Sequence, residues 1–498
     1  MNILDIIDNI KVKTIYGNLP ESVNNISQDS RKVGEGDVFV AIKGYTVDGH
    51  NYIEKVIEQG AALVIASRYD NYNVENCAVI VIKEHEIEKI VSMIAKKINE
   101  GSDVHTVAVT GTNGKTSIST LVHNMLRTLG ESSAYIGTNG FGKNDAEPVY
   151  FGNTTPDVVT LHNQIGELRR DDIKNLAFEA SSHAMALGRI YNVDIDVAIF
   201  TNLTHEHLDF HGDMQTYAYD KSLLFSTLGN NLSEAKYGVL NKDDSYYKVI
   251  SKCLYQQEIN YSIVDETADF YAYNIKQYKE DKVYKTSFTL RSPEGTFECT
   301  TNYIGDFMVS NVLAALIAVW VKGYSVEQLV DILPKLGALY GRMEILGDDL
   351  PIDIISDFAH TPDGYEKLLE ATREMRKGKR TLLVTGMGGG RDISKGPLIG
   401  EIISEADYVV ITTDSPRDED VEVLMGSIEK GMTHKNYEKV WFRTDAVKRI
   451  IELSEPGDVV ILASKGREDY EILQGGKKVW HSDPIVAVEE AKKKFDIK

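Results

Sequence analysis

The densest chemistry in the chain lies in Val107-Ala108-Val109-Thr110-Gly111-Thr112-Asn113-Gly114-Lys115-Thr116-Ser117. An apolar, β-branched run reads as a buried strand; glycines interrupt it, and helical spacing resumes through Leu121, Met125 and Leu129. A strand, a Gly-rich turn and a helix N-terminus make an anion site, because backbone N–H groups surround phosphate oxygens and the helix dipole favours negative charge. Lys115 can reach the β- and γ-phosphates, and the Thr116 hydroxyl can ligate Mg²⁺. A Cβ at Gly111 or Gly114 would obstruct the turn and the approach of the phosphate. The spacing Gly111-x-x-Gly114-Lys115-Thr116 is two residues shorter than GxxxxGK[ST], and an ordinary βα turn is the alternative. The stretch predicts ATP binding through Gly111, Thr112, Asn113, Gly114, Lys115 and Thr116.

Further polar clusters follow later strands. Glu179-Ala180-Ser181-Ser182-His183 would set Glu179 at the carboxyl edge of a sheet, where a carboxylate beside a phosphate loop is a Mg²⁺ ligand or, equally, a surface Glu. The loop Asn202 to Gly212 packs His205, His207, Asp209 and His211 at a spacing that could hold a transition metal. The nearby nucleotide site and Glu179 argue instead for Mg²⁺ with one His in its shell; a solvated polar loop is the plain alternative. Lys221, taken alone, reads as a solvent-facing helical lysine.

The elements that must hold these residues alternate strand and helix throughout. Strands at 37–42, 62–66 and 78–82 and an amphipathic helix from Glu86 to Asn99 precede a polar hinge at 100–103. The alternation continues through 176–178, 197–200 and 237–240, which predicts a largely parallel sheet covered on both faces. Polar–apolar alternation between 268 and 304 predicts antiparallel edge strands, followed by a helix from Ser310 to Lys322. Strands at 352–355, 381–385, 408–412 and 459–463 end in polar, Gly- or Pro-containing clusters, where open parallel sheets place ligands. The expected division is 1–103, 104–336 and 337–498, in keeping with about 150 residues per domain in a 498-residue chain.

A net charge of −21 argues against a nucleic-acid partner, whose phosphates need a Lys/Arg-rich face. The cysteines Cys77, Cys253 and Cys299 are odd in number and in no CxxC spacing, which fits a reducing cytoplasm and no zinc site. No apolar run approaches the roughly 20 residues of a membrane span, and no leader pattern opens the chain. A cytoplasmic protein is expected.

Taken together, the loop at 111–116, Thr154-Thr155-Pro156, Glu179 to His183, Asn202 to Gly212 and Lys221 resemble the Mur ligases, specifically the branch that adds the third amino acid of the peptide. The resemblance runs over the whole chain. It includes Asp29-Ser30-Arg31, Gly36 to Ala41 and Asp48-Gly49-His50 near the start. Towards the end it includes Gly341-Arg342-Met343-Glu344, Asp357 to Asp363, Gly390-Arg391-Asp392, Asp414-Ser415-Pro416-Arg417 and Ser464 to Glu468. It implies an α/β fold in three parts: a UDP-binding domain, a central phosphate-loop ATPase sheet and a Rossmann-like C-terminal domain. The implied reaction, in peptidoglycan synthesis, joins an amino acid to UDP-MurNAc-L-Ala-D-Glu through an acyl phosphate.

The resemblance also implies roles. Thr116 and Glu179 would hold one Mg²⁺ and His207 a second, while Lys221 would carry a CO₂-derived carbamate, since an ammonium beside Mg²⁺ would be repelled. Lys115, Glu179, His207 and Lys221 would be catalytic. Asn311, Arg342 and His360 would contact ATP, Ser30 the uracil nucleotide, and Thr154, Thr155, Ser182 and Arg189 the muramoyl-dipeptide. Arg391, Asp414, Ser415, Arg417, Ser464 and Glu468 would read the incoming amino acid. Arg417 suits the distal carboxylate of meso-diaminopimelate as a bidentate partner, which makes that the expected substrate. Ser464-Lys465-Gly466-Arg467-Glu468, Gly140-Phe141 and 433–437 resemble the L-lysine-adding branch, the alternative. Glu206, Phe358, Met308 and Ser415 depart from the family's usual Asp, Tyr, Asn and Asn. Folylpolyglutamate synthetase and an inactive nucleotide-binding paralogue are the other readings. The expected partners are the UDP-linked dipeptide and a free amino acid, with no nucleic acid, no membrane and no second subunit.

Overall fold

The computed structural model describes residues 4–43, 47–376 and 378–497. Near the N-terminus, the strands Val38–Val40, Leu63–Ala66 and Ala78–Val81 pair in parallel. All but one of their residues are buried, which is why they read as unbroken apolar runs rather than alternating ones. Ile26–Ser27 extends one edge in parallel and Thr14–Tyr16 closes the other antiparallel. The helix Ile87–Ile98 covers the sheet with Ile87, Ile90, Val91, Ile94 and Ala95, an i, i+3, i+4, i+7, i+8 stripe. Val158 and Val159, from the helix Val158–Arg170 farther along the chain, complete this same core.

A ten-stranded sheet follows among the described residues. His105–Thr110 lies at its centre, between Val197–Phe200 and Asn175–Glu179, both parallel to it. Val109 stands opposite Glu179 on one side and Ile199 on the other, so three strand ends deliver the Gly-rich loop, Glu179 and the Asn202 loop to one sheet edge. The strands Phe270–Glu280, Val283–Ser292 and Gly295–Thr301 form the expected antiparallel edge, and the helix placed at 310–322 runs from Asp306 to Trp320.

The remaining sheet orders Glu344–Leu346, Asp353–Ser356, Val459–Leu462, Thr381–Met387, Tyr408–Thr413 and Tyr437–Lys439, parallel except at its first strand. The carboxyl ends of its central strands carry Gly388–Arg391, Asp414–Arg417 and Ser464–Glu468, the expected ligand edge. A hairpin of Tyr470–Ile472 and Lys478–Trp480 was not legible in the sequence, because three-residue strands without a buried face leave no periodic signal. Among the described residues no helix is long and apolar enough to cross a membrane, and all three cysteines are free thiols.

Candidate active site

The central and C-terminal sheets face each other across a cavity of about 560 Å³. Every residue given a catalytic, ATP-binding or substrate-binding role from the sequence lines it except Gly111, at the base of the loop, and Ser30, which is buried in the N-terminal unit; of the Asn202–Gly212 loop residues weighed as metal ligands, His207 lines it and His205, Asp209 and His211 do not.

At one end stands the Gly-rich loop. Gly111 and Gly114 have φ of 151° and 88°, and a Cβ would come within 1.8 Å of Thr201 Oγ1 at Gly111 and 2.7 Å of Asn311 Oδ1 at Gly114. The loop is held from the Asn202 side: Thr112 N–H donates to Asn202 O at 2.8 Å and Asn113 N–H to Asn202 Oδ1 at 2.9 Å. Those two N–H groups therefore support the loop. The anion donors that remain are in the first turn of the helix Lys115–Thr128, which no side chain caps. Lys115 Nζ folds back onto Gly111 O at 2.9 Å and Thr112 O at 2.8 Å.

Glu179 is fully buried; its carboxylate accepts from Tyr135 Oη and Thr138 N–H, each at 2.8 Å, and from Thr138 Oγ1 at 3.1 Å. Lys221 is 1% exposed, so the reading as a solvent-facing lysine is corrected: the helix Met214–Ser226 turns it inward, with Nζ on Gly111 O at 2.8 Å and 4.6 Å from the Tyr217 ring centre. Burial, then the charge of Lys115, hold its ammonium well below the ordinary lysine range. Burial, then neighbouring charges beginning with His183, push His207 down to about 2, so its imidazole is neutral. Among the described residues no three His, Cys, Asp or Glu side chains gather as a metal cage. The His and Asp side chains of the Asn202–Gly212 loop are thus not brought together as a three-ligand cluster.

Between the sheets, Thr154 Oγ1 lies 3.3 Å from Thr138 Oγ1, and Thr155 is committed to the scaffold, donating to Glu179 O at 2.7 Å. Arg189 Nη1 donates to Thr155 O at 3.1 Å. Ser182 Oγ meets His211 Nε2 at 3.0 Å, and His211 Nδ1 meets Asp220 Oδ2 at 2.7 Å, a buried relay the sequence reading did not assign. Met308 is 1% exposed and accepts a long contact from Asn311 Nδ2 at 3.6 Å, so it belongs to the core while Asn311 faces the cavity.

The C-terminal unit reaches across to the loop. Arg342 Nη2 donates to Thr116 Oγ1 at 3.0 Å, its guanidinium 4.7 Å from the Phe358 ring centre, and Asn113 Nδ2 donates to Asp363 at 2.9 Å. His360 Nδ1 sits 2.8 Å from Phe358 O, and burial pushes its imidazole down to about 3. Lys395 Nζ pairs with Glu206 at 3.1 Å, both side chains under one-tenth exposed, a buried bridge missed in the sequence because 189 residues separate the partners.

At the far end, Asp414 Oδ1 and Glu468 Oε2 each lie 3.5 Å from Lys465 Nζ. Burial, then the charge of Asp414, raise the Glu468 carboxyl above its ordinary value. Arg391 lines the rim. Ser415 Oγ accepts from Ile472 N–H at 3.1 Å, and Arg417 Nη1 donates to Gly389 O.

A phosphate-type loop facing a second α/β unit across a shared cavity is the arrangement of an acid–amino-acid ligase. Comparison with known proteins agrees. The Mur ligase middle domain matches residues 109–319, the Mur ligase glutamate ligase domain 341–466, and the Mur ligase family catalytic domain 22–99. The chain is 42% identical to the UDP-N-acetylmuramoyl-L-alanyl-D-glutamate–L-lysine ligase of Staphylococcus haemolyticus, covering 99% of both chains. It is also 42% identical to the Staphylococcus aureus protein of that name, covering 98% of this chain and 97% of that one. A solved structure of UDP-N-acetylmuramoyl-L-alanyl-D-glutamate–2,6-diaminopimelate ligase superposes with a TM-score of 0.69 at 28% identity, covering 99% of each. The chain belongs to the Mur ligase family.

Proposed function

We propose that the chain adds L-lysine to UDP-MurNAc-L-Ala-D-Glu, with ATP converted to ADP and phosphate. The observation that carries the amino-acid choice is the 42% identity, over 99% of both chains, to an L-lysine ligase. The side chains at that end are compatible with it: the carboxylates of Asp414 and Glu468 line the cavity, flanking the buried Lys465 Nζ at 3.5 Å each, and the Arg417 guanidinium is engaged by Gly389 O. The expectation of meso-diaminopimelate rested on Arg417 and gives way to the L-lysine alternative.

The phosphates of ATP fit the uncapped helix N-terminus at Lys115, with Lys115 and Arg342 as their cations and Asn311 and His360 nearby. Thr116, Glu179 and His207 would hold Mg²⁺, which supplies charge neutralisation during phosphoryl transfer. Lys221 is buried and its ammonium is held well below the ordinary lysine range, the direction CO₂ capture calls for, and a carbamate there would add oxygen ligands. Thr154, Thr155, Ser182 and Arg189 would border the dipeptide, and Ser30 would meet the uracil nucleotide. The γ-carboxylate of the D-glutamyl residue attacks the γ-phosphorus and ADP leaves. The lysine α-amine then attacks the acyl carbon, the C–N bond forms, phosphate departs with the C–O electron pair, and the amine releases a proton. Arg342–Thr116, Asn113–Asp363 and Lys395–Glu206 hold the two units shut, which keeps water from the acyl phosphate.

The test is phosphate release with UDP-MurNAc-L-Ala-D-Glu and one amino acid at a time: L-lysine, L-ornithine, meso- and LL-diaminopimelate, L-alanine. Release dependent on L-lysine supports the reading. Release with meso-diaminopimelate alone, lost in Arg417→Ala, restores the carboxylate-pairing argument, and silence throughout favours a non-catalytic nucleotide-binding role.

A further inference from the structure

The loops carrying Asp414–Arg417 and Ser464–Glu468 share one anchor outside every motif. Arg443, the first residue of the helix Arg443–Leu453, is fully buried. Its Nε donates to Asp483 at 2.9 Å, and its Nη2 to Asp483 Oδ2 at 2.5 Å and to Ala463 O at 2.6 Å. Its Nη1 donates to Ser464 Oγ at 3.0 Å and to Thr413 O at 3.4 Å. Those contacts use all five N–H donors of a guanidinium. Thr413 immediately precedes Asp414, and Ala463 immediately precedes Ser464, so one planar group fixes the ends of two strands. Asp483, also fully buried, takes a further bond from His481 Nε2 at 2.5 Å.

Stability alone does not call for such a pair, since apolar residues of similar volume often serve as well or better. The loops do need an external hold. Ser415, Arg417 and Ser464 have φ of 51°, 54° and 78°, a region non-glycine residues keep only when their surroundings impose it.

We propose that Arg443, held by Asp483, is the positioning residue of the amino-acid subsite: it sets the separation of the two loops, and so the placing of Asp414 and Glu468, which flank the buried Lys465 Nζ and line the cavity where the distal ammonium of a dibasic amino acid would lie. This rests on the reading above that these loops receive the incoming amino acid.

The test varies ATP, UDP-MurNAc-L-Ala-D-Glu and L-lysine in turn for the wild type, R443K and R443M/D483L, with melting temperatures alongside. Lysine keeps the charge but offers a point donor instead of a fork. R443K is expected to raise KM for L-lysine about tenfold while the other two KM values stay within about twofold. R443M/D483L, which replaces the ion pair by apolar volume but leaves Thr413 O, Ala463 O and His481 without that partner, is expected to melt no higher than the wild type and to keep the raised KM for L-lysine. An unchanged KM for L-lysine in R443K overturns the proposal, as does a uniform rise in all three. A double variant that regains KM along with its melting temperature assigns the pair a structural role only, and decides the matter if R443K does not fold. A wild type inactive with every dibasic amino acid overturns the functional reading and the proposal with it.

Discussion

The Gly-rich loop and the opposite end of the cavity, proposed above to receive the amino acid, use different materials. The loop is contiguous from Gly111 to Thr116, and its donors are backbone N–H groups, so its geometry is set mostly by where glycines permit unusual φ. The amino-acid end is drawn from Gly388–Arg391, Asp414–Arg417 and Ser464–Glu468, three loops after three strands, and its donors and acceptors are side chains. An anion that recurs in many reactions can be met by local backbone geometry. A particular amino acid needs side chains gathered from distant parts of the chain, with something behind them to hold the spacing.

The sharpest test of that contrast is at the loop end. Lys221→Ala removes a buried group bonded to Gly111 O and should lower kcat by on the order of 10²–10³-fold. Formate or acetate should restore part of the rate if a carbamate oxygen is what is missing; a variant as fast as wild type in phosphate release would end the proposed role. At the other end the effect should be smaller and fall on one substrate. Glu468→Gln should raise KM for L-lysine roughly 10–100-fold, the range for one charge-assisted hydrogen bond, while Arg417→Ala changes it by less than about threefold. The reverse ranking of these two variants would return the subsite to a carboxylate reader.

The smallest effect should lie in neither region. His162 is 3% exposed, 2.9 Å from Tyr191 O through Nε2, and burial holds its imidazole down to about 4. An unfolded histidine titrates near 6.5, so between these values the unfolded chain binds the extra proton and stability falls as pH falls through that window. Urea titrations at pH 7.5 and 5.0 should differ by up to about 2 kcal/mol from this group, the equivalent of about 1.5 pH units. His162→Gln should narrow the gap; an equal gap in the variant would assign the acid sensitivity elsewhere.

What could be read from the sequence follows the same division. The strand, the loop and the helix from Lys115 were legible because burial and glycine leave a local pattern, and Glu179 because it ends a strand. The C-terminal clusters were legible as strand ends. His211 with Asp220, Lys395 and Arg443 with Asp483 were not: each acts through a partner 9, 189 or 40 residues away, and nothing in their own neighbourhood marks the pairing. Arg417 shows the opposite limit. Its type argued for a carboxylate ligand, but only the fold reveals Gly389 O as its acceptor.

The apolar core beneath the N-terminal sheet sets a limit on how this molecule can be divided. Val158 and Val159, 1% and 2% exposed, lie beyond the polar segment 100–103, expected to be a hinge, yet pack among Ile87, Ile90, Val91 and Ile94. A fragment begun at residue 104 would carry those two valines bare, and an N-terminal fragment ended there would lack part of its own filling. The peptide bond at the hinge is therefore the wrong place to look for independence: the two pieces should express poorly apart and associate when mixed, because their shared interior is continuous across the point where the chain could be cut.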